Sequence, residues 1–169
     1  RWSAKRPPDA TTSGFINAVE NDIPGLCTCE NCLALDGPAP ADHLTFYPPD
    51  SKVAGTRFVS DRYAHFWLDV QKQAPAGCTV IGYAYFNYFS APTSGIRLHK
   101  NILVGFCPSA GWFPRRDAEH AWMKQQWTGW HETDARLFMR TNHLLDGYCM
   151  PFIFARQFAD EFHHAVKHG

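Results

Sequence analysis

The sequence has no run of like charge longer than two residues and no face crowded with lysine and arginine. Its sixteen basic residues cancel its sixteen acidic ones, so the electrostatic footprint of a nucleic-acid or anionic-membrane binder is missing. No window approaches the roughly eighteen consecutive apolar residues of a membrane span. A Gly-x-Ser-x-Gly elbow, a phosphate loop and a dinucleotide fingerprint are also absent, and no local signature supports a Cys/His protease. The chain opens on Arg1-Trp2 with no basic-then-apolar leader, and the expectation is a processed, trimmed or excised product.

Aromatic residues are plentiful, with six Trp, thirteen Phe and six Tyr among 169 residues. Such side chains dominate cores, and a chain of this length is expected to bury most of its apolar surface as one domain. A sugar-stacking surface is the competing use, with Trp112, Trp127 and Trp130 in loop or helix-end contexts. Residues 1 to 14 read as a polar arm, and residues 36 to 56, rich in proline and turn formers, as a long loop.

Between these segments the periodicity alternates. "FINAVE" (15 to 20) suits a short buried strand. Ser60 is expected to cap a helix whose apolar stripe is Tyr63, Phe66, Trp67 and Val70, stopped by Pro75 and Gly77. "CTVIGYAYFNYF" (78 to 89), "NILVGFC" (101 to 107) and "RLFMRTN" (136 to 142) carry strand character. "PRRDAEHAWMKQQWTGW" spaces Ala118, Trp122 and Gln126 as a helix. The last segment, starting at Pro151, places Phe152, Ala155, Phe158, Ala159, Phe162 and Val166 on one apolar helical face. Apolar strands separated by helices predict an α/β fold with a parallel sheet. Four strands are few for a (β/α)₈ barrel, which typically takes about 250 residues, so residues 1–169 are expected to form one partial barrel domain.

"ENDIPGLCTCENCLALD", "SDRYAHFWLDVQKQAPAGCTVIGYAYFNYFSAP", "HKNILVGFCP" and "RLFMRTNHLLDGYCMPFIFARQFADEFHHAVKHG", in this order, resemble an uncharacterised bacterial glycoside-hydrolase-like family related to α-glucuronidase and hexosaminidase barrels. The resemblance implies that the strands are the fourth to seventh of a TIM-like barrel, completed by another chain or segment. It also implies a carbohydrate partner and a periplasmic or secreted location. Thr141-Asn142-His143 departs from the family, which more often has an aromatic after the Asn.

Glu20, Asn21 and Asp22 fall where the first strand ends, the edge at which ligands collect in parallel folds. Glycoside cleavage needs two carboxyl groups, about 5–5.5 Å apart for retention or about 6.5–9.5 Å for inversion. Asp22, favoured by the family match, and then Glu20 are the expected catalytic pair, against a plain reading in which Asp22 caps a turn. Asn21, Tyr85, Asn87, Tyr88, Arg140 and Asn142 are the expected sugar contacts. Arg140 offers a planar fork for a uronic acid, or else merely orients Asp22 or Glu20. Cys27, Cys29 and Cys32 can give three thiolates to a structural zinc, with Cys107, Cys149 or His43 as fourth ligand. A disulfide within the cluster and plain thiols are the other two readings. The histidines of "HHAVKH" read as a solvated helix end.

Overall fold

The computed structural model describes residues 14–19, 26–47, 55–108, 116–140 and 155–169. Glu20, Asn21, Asp22, Trp112, Asn142, Cys149 and the Pro151 start of the last helix lie outside the described residues. Along the chain come β1 (Phe15–Asn17), α1 (Glu30–Leu33), α2 (Ser60–Gln73), β2 (Thr79–Ala84), a 3₁₀ turn (Phe86–Tyr88), β3 (Ile102–Phe106), α3 (Asp117–His131), β4 (Arg136–Met139) and α4 (Ala155–Lys167).

The four strands form one parallel sheet in sequential order, β1-β2-β3-β4. This is the expected α/β architecture with a parallel sheet. Asn17, Ile81, Leu103 and Arg136 stand in register across it. Because side chains alternate along a strand, the register separates two faces. On one face Val80, Ala84, Ile102 and Val104 are fully buried. Trp67 of α2 lies directly against Gly82, where a Cβ would collide with its indole. Trp127 of α3 packs edge-on to Phe106 at 5.3 Å. Both helices therefore cover the same face. Among the described residues the strand order runs in one direction, without the reversal that marks doubly wound folds.

The opposite face carries Ile81, Tyr83, Leu103 and Phe138, all half-buried, with Asn17 and Arg136 exposed and Phe15 60% exposed. Gly105 is its low point: a Cβ there would meet Tyr83 Cδ1 at 2.6 Å and Phe138 Cζ at 2.7 Å. The glycine gives up a side chain so that two aromatic rings can lie over the sheet.

Several local expectations are corrected. Ser60 is the first residue of α2 rather than its cap, and its hydroxyl donates to the Ser90 carbonyl instead of to the helix's own amides. Tyr63 and Trp67 are buried, but Phe66 of the same expected stripe is 48% exposed. Of the two uses expected for Trp127 and Trp130, core packing holds: both are buried, and the Trp130 indole N–H donates to the Phe89 carbonyl. On α4 the apolar stripe of Phe158, Phe162 and Val166 faces outward, while Glu161 and Ala165 are buried. Polar contacts seat this helix on α3. Lys124 Nζ bonds Asp160, the His120 ring lies 3.5 Å from Glu161 Oε1, and His164 Nε2 is 3.0 Å from the Lys124 carbonyl.

Candidate functional site

The C-terminal edge of a parallel sheet gathers the residues that leave each strand. Pairing runs one residue past the strands, with Cys107 N–H donating to the Ala84 carbonyl and Arg140 N–H to the Phe106 carbonyl. Cys107 and Arg140 thereby become neighbours. Arg140 Nη1 is 3.2 Å from Cys107 Sγ, and the guanidinium carbon lies 4.9 Å from the centroid of the Tyr83 ring. Burial works against the Arg140 charge, but the Cys107 sulfur and the Tyr83 hydroxyl outweigh it and hold its pKa above the ordinary arginine value. Arg140 is thus a permanent cation, half-buried on the aromatic face of the sheet. Its fork can recognise a carboxylate or another planar anion.

The other expected sugar contacts divide. Tyr85 is half-buried, its ring 3.8 Å from that of Phe86. Asn87 and Tyr88, expected at the mouth of a site, are each only 2% exposed. The reason is local. Phe86 adopts φ of 45°, which ends the strand alternation and turns the next two residues inward. Tyr88 packs on Tyr63 with centroids 4.1 Å apart, and the Asn87 carbonyl accepts the Val59 N–H. Both belong to the packing beneath α2.

The cysteine cluster is the second assembly. Cys27, Cys29 and Cys32 are free thiols whose sulfurs all lie within 4.8 Å of one another, close enough to bind a metal ion. Cys29 precedes and Cys32 lies within α1, a single helical turn. A tetrahedral ion with Zn–S bonds of about 2.3 Å spaces its sulfurs about 3.8 Å apart, so the triad needs only a modest contraction to close on a metal. The Cys32 N–H, together with the Cys27 and Cys32 thiols, holds the Cys29 pKa below its usual value. Hydrogen bonds with Cys29 and Cys27 push Cys32 up to about 11. His43 and Cys107, two of the expected fourth ligands, do not join the cluster. His43 packs edge-on to Phe58, and Cys107 is buried beside Arg140.

Arg62, which no sequence motif marks, ties this cluster to α2. Its Nε and Nη2 each lie 2.7 Å from a different oxygen of Asp36, and Nη1 donates to the Cys27 carbonyl at 2.8 Å. Both side chains are largely buried, at 11% and 7% exposure. The neighbouring Asp61 is fully buried and accepts the backbone N–H groups of Thr93 and Ser94. The first turn of α2 therefore anchors two loops through adjacent charged residues. Asp36 four positions beyond Cys32 was the available signal, but nothing in the spacing selects Arg62 as its partner.

Comparison of the chain with protein families, with curated proteins and with solved structures finds no match.

Proposed function

We propose that the chain is a carbohydrate-active, glycoside-hydrolase-like protein that engages an acidic glycan at the C-terminal edge of its sheet. In this reading β1 to β4 are the fourth to seventh strands of a (β/α)₈ barrel. The open aromatic face is its interior, and another chain or segment completes it. The reading rests on one observation above the rest: the strands run parallel in sequential order with α2 and α3 on the same face. That winding closes into a barrel when continued, and barrel sites lie at the C-terminal ends of strands. Arg140, held over Tyr83 at that edge, suits the carboxylate of a uronic acid. Asp22, with Glu20 second, would act as general acid, base or nucleophile, and Asn21, Tyr85 and Asn142 would contact the sugar. A periplasmic or secreted location accompanies this role.

A second reading is supported by the cysteine cluster: a non-catalytic glycan-binding or scaffold domain in which Cys27, Cys29 and Cys32 hold a structural zinc. The two are separated by assaying aryl uronides and other aryl glycosides for hydrolysis and acidic oligosaccharides for binding. General acid–base groups typically contribute about 10²–10⁴ in rate, so Asp22→Asn is expected to cut turnover by that order while leaving binding in place. Arg140→Gln is expected to lose acidic glycans selectively. Binding without turnover would favour the second reading, and neither binding nor turnover would reject the carbohydrate role in both.

A further inference from the structure

We infer that Arg62 is a positioning residue for a metal ion held by Cys27, Cys29 and Cys32, coupling metal occupancy to the docking of the cysteine loop on α2. This rests on the reading of the cluster as a thiophilic-metal site. Three donors on a short segment, with their sulfurs within 4.8 Å, close on an ion only if the backbone carrying them is held. The Arg62 hydrogen bond to the Cys27 carbonyl ties the first of these donors to α2.

That guanidinium is itself fixed in direction by its bidentate pair with Asp36, which lies beyond the last donor. One side chain thus clamps both ends of the ligand loop, at residue 27 and residue 36. Its charge also counts. A divalent ion bound by three thiolates carries a net charge of minus one, and Arg62 is close enough to Cys27 and Cys32 to interact with them electrostatically. A cation beside such a complex stabilises the loaded state more than the empty thiols. Groups that orient ligands in this way typically change metal affinity by about 10–100-fold when removed.

The test uses the full chain. Zinc affinity is measured by competition with a chromophoric chelator, and stability by urea unfolding without metal, for the wild type, Arg62→Gln, Arg62→Lys and Asp36→Asn. The wild type is expected to bind one zinc, with Arg62→Gln about 10–100-fold weaker and Arg62→Lys between them. The metal-free stability of Arg62→Lys should match that of Arg62→Gln, since lysine cannot make the bidentate pair with Asp36. Should Arg62→Gln fail to fold, Asp36→Asn takes its place and is expected to bind zinc more weakly than the wild type. A wild type that binds no zinc rejects the metal reading itself. Tight zinc binding in the wild type that neither Arg62→Gln nor Asp36→Asn weakens overturns the role of Arg62 alone. Affinities that merely follow metal-free stability across the series overturn it too.

Discussion

The guanidinium of Arg140 lies over the ring of Tyr83, 4.9 Å from its centroid, while its Nη1 reaches Cys107 Sγ at 3.2 Å. Three consecutive strands of the sheet, β2, β3 and β4, thus meet through a cation on an aromatic ring at one edge. Cation–π contacts are worth about 0.5–1 kcal/mol when exposed and about 2 kcal/mol when desolvated. We expect Tyr83→Leu and Arg140→Met each to destabilise the fold, with a coupling energy of about 0.5–1.5 kcal/mol in a double-mutant cycle read by urea unfolding. Strict additivity would mean that the stacking contributes nothing and that Arg140 is held by other groups.

Gly82 and Trp67 form the corresponding close approach on the helix-covered face. The indole occupies the space of the missing side chain, and Trp67 is only 1% exposed. Overpacking a filled core costs about 1–3 kcal/mol, and that is the expected effect of Gly82→Ala. The smaller ring of Trp67→Phe should relieve part of it, so Gly82→Ala is expected to cost less in the Trp67→Phe background than in the wild type. An equal cost in both backgrounds, by chemical denaturation, would show that α2 shifts as a body instead.

His43 gives the stability of the protein a dependence on acid. Burial, only partly offset by the nearby Asp42 carboxylate, lowers its pKa to about 4 from the ordinary 6.5. The unfolded chain therefore binds a proton at this site more readily than the folded one. The contribution of neutral His43 is intact above pH 6.5 and is lost as the pH falls from there toward 4. Edge-on packing against Phe58, with centroids 5.2 Å apart, is open to an uncharged ring. His43→Phe is expected to leave stability near neutrality little changed and to flatten its decline between pH 6.5 and 4, as followed by urea midpoints. An unaltered decline would assign the acid sensitivity to other groups.

Much of the sheet was legible because apolar, β-branched runs such as "TVIGYA" and "ILVGF" have few alternatives to a buried strand. The end of β2 was not. Tyr85 to Phe89 continue the same composition, and only the positive φ of Phe86 and the Val59 N–H bond to the Asn87 carbonyl turn the chain inward. These are tertiary choices that periodicity does not record. In the candidate sites the cysteine spacing foretold a cluster, since three donors in six residues must stay close together. The partnerships of Arg62 with Asp36 and of Arg140 with Cys107 span 26 and 33 residues. They depend on which loops the first turn of α2 and the edge of the sheet draw in.

The last helix shows the same limit most plainly, and it yields the fourth prediction. Its period identifies an apolar stripe but not the side on which its neighbours lie. In the structure α4 seats on α3 through Asp160, Glu161 and His164, leaving Phe158 37%, Phe162 49% and Val166 70% exposed. Surface substitutions usually change stability by no more than about 0.5 kcal/mol, whereas core truncations of phenylalanine cost about 3–5 kcal/mol. With Phe162 on the outward side of α4, Phe162→Ser falls in the first class, with a thermal midpoint close to the wild type. Glu161→Leu, which removes the buried one of the two carboxylates beside His120, should be the more costly change. The reverse ranking in a thermal melt would mean that the stripe is covered in solution and that α4 is turned about its axis.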